Sequence, residues 1–149
     1  MIIKDQRGTT LVEVLIATAL SGLIASLLGA VVYQITTVSE RGNAAMISLH
    51  EVQNVAYWVN LDGQRASAAS GGSQLIFTLP DESTVTYDLS GTELRRTAGG
   101  SQVTVARNIT SVNFLVDERV VSMSITSCPQ NRWEISEDRT YKVYLRPSA

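Results

Sequence analysis

From Val14 to Tyr33 no residue carries a formal charge at neutral pH. At about 1.5 Å of rise per residue, a helix of that length crosses a bilayer core of about 30 Å. A core helix of a soluble protein would normally show a polar face over such a stretch, and here only Thr18, Ser21 and Ser26 interrupt it. A secretory signal peptide has an apolar centre of about 7 to 15 residues ending in a small-residue cleavage site. This centre is longer, and its one A-x-A triplet, Ala17-Thr18-Ala19, lies inside it. A signal anchor fits better: Lys4 and Arg7 precede the run and stay cytoplasmic, which sends the remainder of the chain out of the cytoplasm.

A plain anchor leaves Glu13 unexplained. Thr10-Leu11-Val12-Glu13 reads as a capping box, in which Thr10 accepts from the Glu13 amide and the carboxylate reaches back to the Thr10 amide. Such a cap stabilises by about 1 kcal/mol, whereas an ionised side chain drawn into hydrocarbon costs roughly 2.5 to 3.5 kcal/mol or more. At the interface the cap suffices. Deeper in the membrane the acid needs a cation.

The short basic leader, Gly8, Thr9-Thr10-Leu11-Val12-Glu13 and the long apolar run together closely resemble the class III signal of type IV pilins and type II secretion pseudopilins. The resemblance implies that a membrane-bound prepilin peptidase cuts between Gly8 and Thr9, removing residues 1–8, and that Thr9 then carries an N-methylated amine. It also implies that Glu13 is the glutamate that directs assembly, pairing with the N-terminal amine of a neighbouring subunit. The family usually has Phe after the cleaved glycine, where this chain has Thr9. The implied partners are the peptidase, other pilin or pseudopilin subunits, an inner-membrane assembly platform and the lipid bilayer. The implied location is the inner membrane, single-pass, with the head outside the cytoplasm and in filaments after assembly.

Beyond the apolar run no proline occurs before Pro80, and Asn60-Leu61-Asp62-Gly63 is the next strong stop. One helix is therefore expected over about 52 residues, Thr9 to Asn60, with a membrane and assembly part at 9–33 and an amphipathic part at 34–63. In the second part Ile35, Val38, Gly42, Ala45, Leu49, Val52, Ala56 and Val59 recur at steps of three and four, an apolar stripe expected to pack on the chain's own domain. Gly22 and Gly29 are the helix-weakening positions of the first part, each costing about 1 kcal/mol relative to Ala.

Residues 64–149 form the expected head. Gln64 to Ser73 is small and polar and reads as a loop. Period-two strands follow: Leu75-Phe77-Leu79, Val85-Tyr87-Leu89, Glu93 to Thr97, Val103-Val105, Val112-Phe114-Val116, Val121-Met123-Ile125 and Tyr141-Val143-Leu145. Pro80-Asp81-Glu82-Ser83, Ser90-Gly91-Thr92, Gly99-Gly100 and Asp117-Glu118-Arg119 are the turns between them. The expected fold class is α+β, a long N-terminal helix on a C-terminal antiparallel β-sheet. The pilin resemblance implies the same order of elements, and the head pattern looks like that of J-type minor pseudopilins and W-type minor pilins.

Residues from Ile35 onward carry 10 basic and 12 acidic side chains, so no basic surface for nucleic acid is indicated. His50 is the only histidine and Cys128 the only cysteine. A transition-metal site and an internal disulfide are therefore not expected. No G-x-S-x-G elbow occurs, and the chain reads as non-catalytic, without cofactor or metal. Cys128 is expected in a loop running to Ser136, as a half-buried small residue rather than a reactive thiol. The acid pairs Asp81-Glu82, Asp117-Glu118 and Glu137-Asp138 lack the spacing of a calcium loop. Arg95-Arg96 reads as one inward and one outward strand residue. Two functions follow: a structural minor subunit of a type IV pilus or type II secretion filament, or an unprocessed signal-anchored domain that binds a ligand or partner outside the cytoplasm.

Overall fold

The structure is a computed structural model and describes residues 10–130 and 135–146. One helix, α1, spans Leu11–Gly63. The chain divides into two compact units, Met1–Glu40 and Arg41–Ala149. In the first, α1 is apolar on every side from Val14 to Tyr33: Leu15, Leu20, Leu23, Ile24, Leu27 and Leu28 are all more than half exposed. By length and composition this helix is able to cross a membrane.

In the second unit α1 buries one face, made by Ala44, Ser48, Val52, Val55, Val59, Asp62 and Gly63. The steps of three and four from Ala44 to Asp62 keep the residues stacked on a straight helix. The stripe expected from the sequence only partly coincides with this face. Val52 and Val59 are buried and Leu49 and Ala56 half-buried, but Ile35, Val38, Gly42 and Ala45 are exposed. Its positions follow a 3.5-residue repeat, which drifts about 20° per heptad around a straight α-helix. The buried face also recruits Ala44 and Ser48, small residues that an apolar count passes over.

The strands are β1 (Ala68–Ser70), β2 (Gln74–Thr78), β3 (Thr84–Ser90), β4 (Glu93–Ala98), β5 (Ser101–Ala106), β6 (Ile109–Asp117), β7 (Val120–Gln130) and β8 (Ile135–Tyr144). All the pairings are antiparallel and between neighbours in sequence. They form two sheets, β1-β2-β3-β4-β5 and β6-β7-β8, where the sequence suggested one. Alternate residues turn inward, among them Leu75 and Phe77 on β2, Val85 and Tyr87 on β3, and Val121, Met123 and Ile125 on β7. With Val52, Val55 and Val59 of α1 they make one core.

The turns fall where the sequence put them. Gly99 and Gly100 both take positive φ, 55° and 78°, as a two-residue hairpin between β4 and β5 demands. Two expectations need correction. The stretch read as a loop after the helix contains β1, whose Ala-Ala-Ser carries no β-branched signal. Cys128 lies in β7 rather than in a loop; Pro129 is accommodated there because the pairing of β7 with β8 shifts between Ser127 and Gln130.

Glycine closes two contacts. A Cβ on Gly71 would lie 2.5 Å from the Phe114 carbonyl oxygen, and that close approach lets Gly72 exchange backbone hydrogen bonds with Phe114, at 2.8 and 3.2 Å. This bridge joins the two sheets at the β1 and β6 sides. A Cβ on Gly63 would meet Val143 Cγ1 at 2.5 Å, so the end of α1 sits directly on the core.

Candidate functional site

Gly8 and Thr9, the cleavage and methylation positions implied by the resemblance, lie outside the described residues. Glu13 stands in the first turn of α1. Its amide donates to Thr10 Oγ1 at 3.3 Å and to Thr10 O at 3.0 Å, which is the forward half of the capping box. The carboxylate is exposed, at the positive end of the helix dipole, where an anion is favoured.

The hydroxyls that follow satisfy themselves within the helix. Thr18 donates to Leu15 O at 2.9 Å, Ser21 to Ala17 O at 2.8 Å and Ser26 to Leu23 O at 2.8 Å. Such back-bonding is what polar side chains need where water is absent. The uncharged run thus offers hydrocarbon nothing costly, and Glu13 at its edge carries the one formal charge between Leu11 and Tyr33. Chemically this arrangement can hold a cation or donor brought to it from another molecule.

In the head the most developed polar cluster gathers at the end of α1. Asp62 is 1% exposed and accepts two hydrogen bonds from Arg96, from Nε at 2.6 Å and from Nη2 at 2.8 Å. The Tyr87 hydroxyl donates to the same carboxylate. The Arg96 guanidinium carbon lies 5.2 Å from the centroid of the Trp58 ring, close enough for a cation–π contact. Burial first, then the Asp62 carboxylate, push the Tyr87 phenol far above its ordinary value. The bond to Asp62 raises Arg96 despite its desolvation. A buried carboxylate unpaired would cost several kcal/mol, so this three-fold partnering is the condition for Asp62 being inside at all.

Sequence reasoning missed Asp62, which it used only as part of a helix stop. A signal existed: an acid in the last turn opposes the helix dipole and calls for a nearby cation. Arg95 and Arg96 do split across the strand, Arg96 turning to Asp62 and Arg95 to Glu93 at 3.3 Å.

His50 is exposed on α1 and Cys128 is half-buried. The acid pairs are used locally. Asp81 accepts from Ser83 N–H at 3.1 Å and from Ser83 Oγ at 2.6 Å, bonds that lower its pKa. Glu82 and Glu118 take the positive φ of tight turns. Glu137 pairs with Arg139 at 2.5 Å, and Asp138 accepts from Thr126 at 2.6 Å. Among the described residues no three His, Cys, Asp or Glu side chains gather as metal ligands. No protein-family model, no curated protein and no solved structure matches the chain.

Proposed function

We propose that the chain is a structural minor subunit, a minor pilin or pseudopilin, of a membrane-anchored filament of the type IV pilus or type II secretion kind. Residues 1–8 are the leader, and prepilin peptidase cuts after Gly8 and methylates Thr9. Residues 9–33 hold the subunit in the inner membrane and later pack against the same segment of neighbouring subunits in the filament. The head stands outside the cytoplasm.

The observation that carries this reading is Glu13, a single acid one turn into a helix that is apolar on all sides. When such helices bundle, the carboxylate leaves water, and the transfer is tolerable only against a cation. The new amine of a neighbouring subunit supplies it. The charge thereby selects one axial register, since a subunit entering out of step leaves Glu13 buried and unpaired. The cap on Thr10 holds the first turn helical up to that carboxylate.

The intact mass of the membrane-extracted protein tests the reading. Loss of residues 1–8, with or without one added methyl group, supports it. The full-length mass in cells with an active prepilin peptidase contradicts it and leaves the unprocessed signal-anchored domain.

A further inference from the structure

The outer strands of the two sheets are treated differently. At the β5 edge α1 intervenes: Asn54 Nδ2 donates to Val105 O at 2.6 Å, and Glu51 accepts from the Arg107 amide at 2.7 Å. At the other side of that sheet, the Gly72–Phe114 bridge leads to β6. β8 is the outer strand of the three-stranded sheet, and among the described residues nothing pairs with its far side. It is ten residues long. A free edge of that length is a template for another strand.

The groups it offers follow from one hydrogen bond. Leu145 N–H donates to Arg119 O at 2.9 Å, one step beyond the Val120–Tyr144 pair. Bonding alternates along an antiparallel ladder, so Leu145, Val143, Tyr141, Arg139 and Glu137 face β7. Tyr144, Lys142, Thr140 and Asp138 therefore turn their N–H and C=O groups to the open side. The register runs without a shift from Val120–Tyr144 to Ser127–Glu137, which keeps this assignment good along the strand.

From this edge we infer that β8 pairs antiparallel with β8 of a second copy of the chain, centred on Thr140. A two-fold axis normal to the sheet keeps each residue on its own face, so facing residues must lie on the same side of the pleat. Centring on Thr140 sets Asp138 opposite Lys142 of the second copy, and Lys142 opposite its Asp138. Arg139 then faces Tyr141. Centring on Asp138, Arg139 or Lys142 places like charges directly opposite at the axis, although on Asp138 it also sets Glu137 opposite Arg139, two residues already paired within their own strand, and centring on Tyr141 leaves no ionic pair. Charges on an edge ordinarily repel other strands. Here their order along the strand makes the Thr140 register the one in which opposite charges face each other and no like charges are opposed. The product is a continuous sheet with three strands from each copy. The pairing depends on the head alone and is independent of the filament reading.

The test uses the full chain in detergent micelles. Lys142 is the only lysine after Lys4, so a zero-length carboxyl-to-amine cross-linker has one amine to find in the head. Within one strand Asp138 and Lys142 are about 13 Å apart, too far for such a link. A 1:1 mixture of isotopically light and heavy protein is expected to give a mixed Asp138–Lys142 cross-link. Sedimentation is expected to show dimers whose association constant falls about tenfold in Asp138→Lys and in Lys142→Asp and recovers in the double exchange. Both positions are exposed, and circular dichroism checks that each variant keeps its fold. A monomer across the concentration series, or a dimer indifferent to these exchanges, overturns the proposal; the second result would assign dimerisation to another surface such as α1.

Discussion

Asp62 occupies the last turn of a helix, where the dipole disfavours an acid, and it is almost wholly buried. Arg96, Tyr87 and the face of Trp58 turn that position from a liability into a clasp between helix and sheet. Asp62→Ala strands the Arg96 guanidinium, 16% exposed, without its anion, and is expected to cost about 3–5 kcal/mol in urea unfolding followed by circular dichroism. Adding Arg96→Ala should cost far less than a second, independent loss, because the two act as one unit. Tyr87 gives the clasp a pH signature. Its phenol titrates higher in the folded than in the unfolded chain, where the value is near 10.0. The folded state then keeps a proton that the unfolded state releases. Stability from this bond is complete below pH 10 and falls as pH rises above it, by up to about 1.4 kcal/mol per pH unit. Unfolding measured from pH 9 to 11 should show this slope reduced in Tyr87→Phe; equal slopes would mean that Tyr87 does not set it.

Among the elements, α1 and most of the hairpins are legible in the sequence. The apolar run is continuous, and the strands alternate between turns built from Gly, Asp and Ser, so local residues decide both. What is not legible depends on partners distant in sequence. The buried side of α1 includes Ala44 and Ser48, whose Oγ donates to Ser127 O at 2.9 Å; nothing local marks a serine as inward. Strand order is also nonlocal. β5 and β6 are adjacent in sequence but belong to different sheets, and the turn between them, at Arg107 and Asn108, with Asn108 at φ 58°, resembles the other turns. The Glu13 position is legible because charge in an apolar run is a local contrast, while the Asp62 clasp needs residues from α1, β3 and β4. Gly63, expected only as a helix stop, proves to be a contact. Gly63→Ala drives a methyl toward Val143 and Phe77 and is expected to destabilise the head by about 1–3 kcal/mol, read from its urea midpoint. An unchanged midpoint would mean that the end of α1 is not seated on the core.

For the molecule as a whole, the two compact units answer to different solvents. Residues 41–149 bury a shared core of helix and sheet, while the described part of residues 1–40 exposes apolar side chains on all sides of a helix with its hydroxyls internally satisfied. Such a helix is stable in lipid or in a bundle of its own kind, and in the proposed filament Glu13 would distinguish the two, because only the bundle would supply it with a neighbour's amine. On the proposed reading, processing would centre on Gly8 and is thereby separable from assembly, which would depend on the charge of Glu13. Gly8→Val is expected to abolish cleavage. The decisive measurement is the amount of Glu13→Ala, relative to wild type expressed beside it, in sheared filaments and in membranes of the same cells. The register role of Glu13 predicts a variant cleaved to the same mass as wild type but depleted at least about tenfold from filaments, the loss expected when a buried ion pair cannot form. Equal incorporation of cleaved Glu13→Ala and wild type would contradict it.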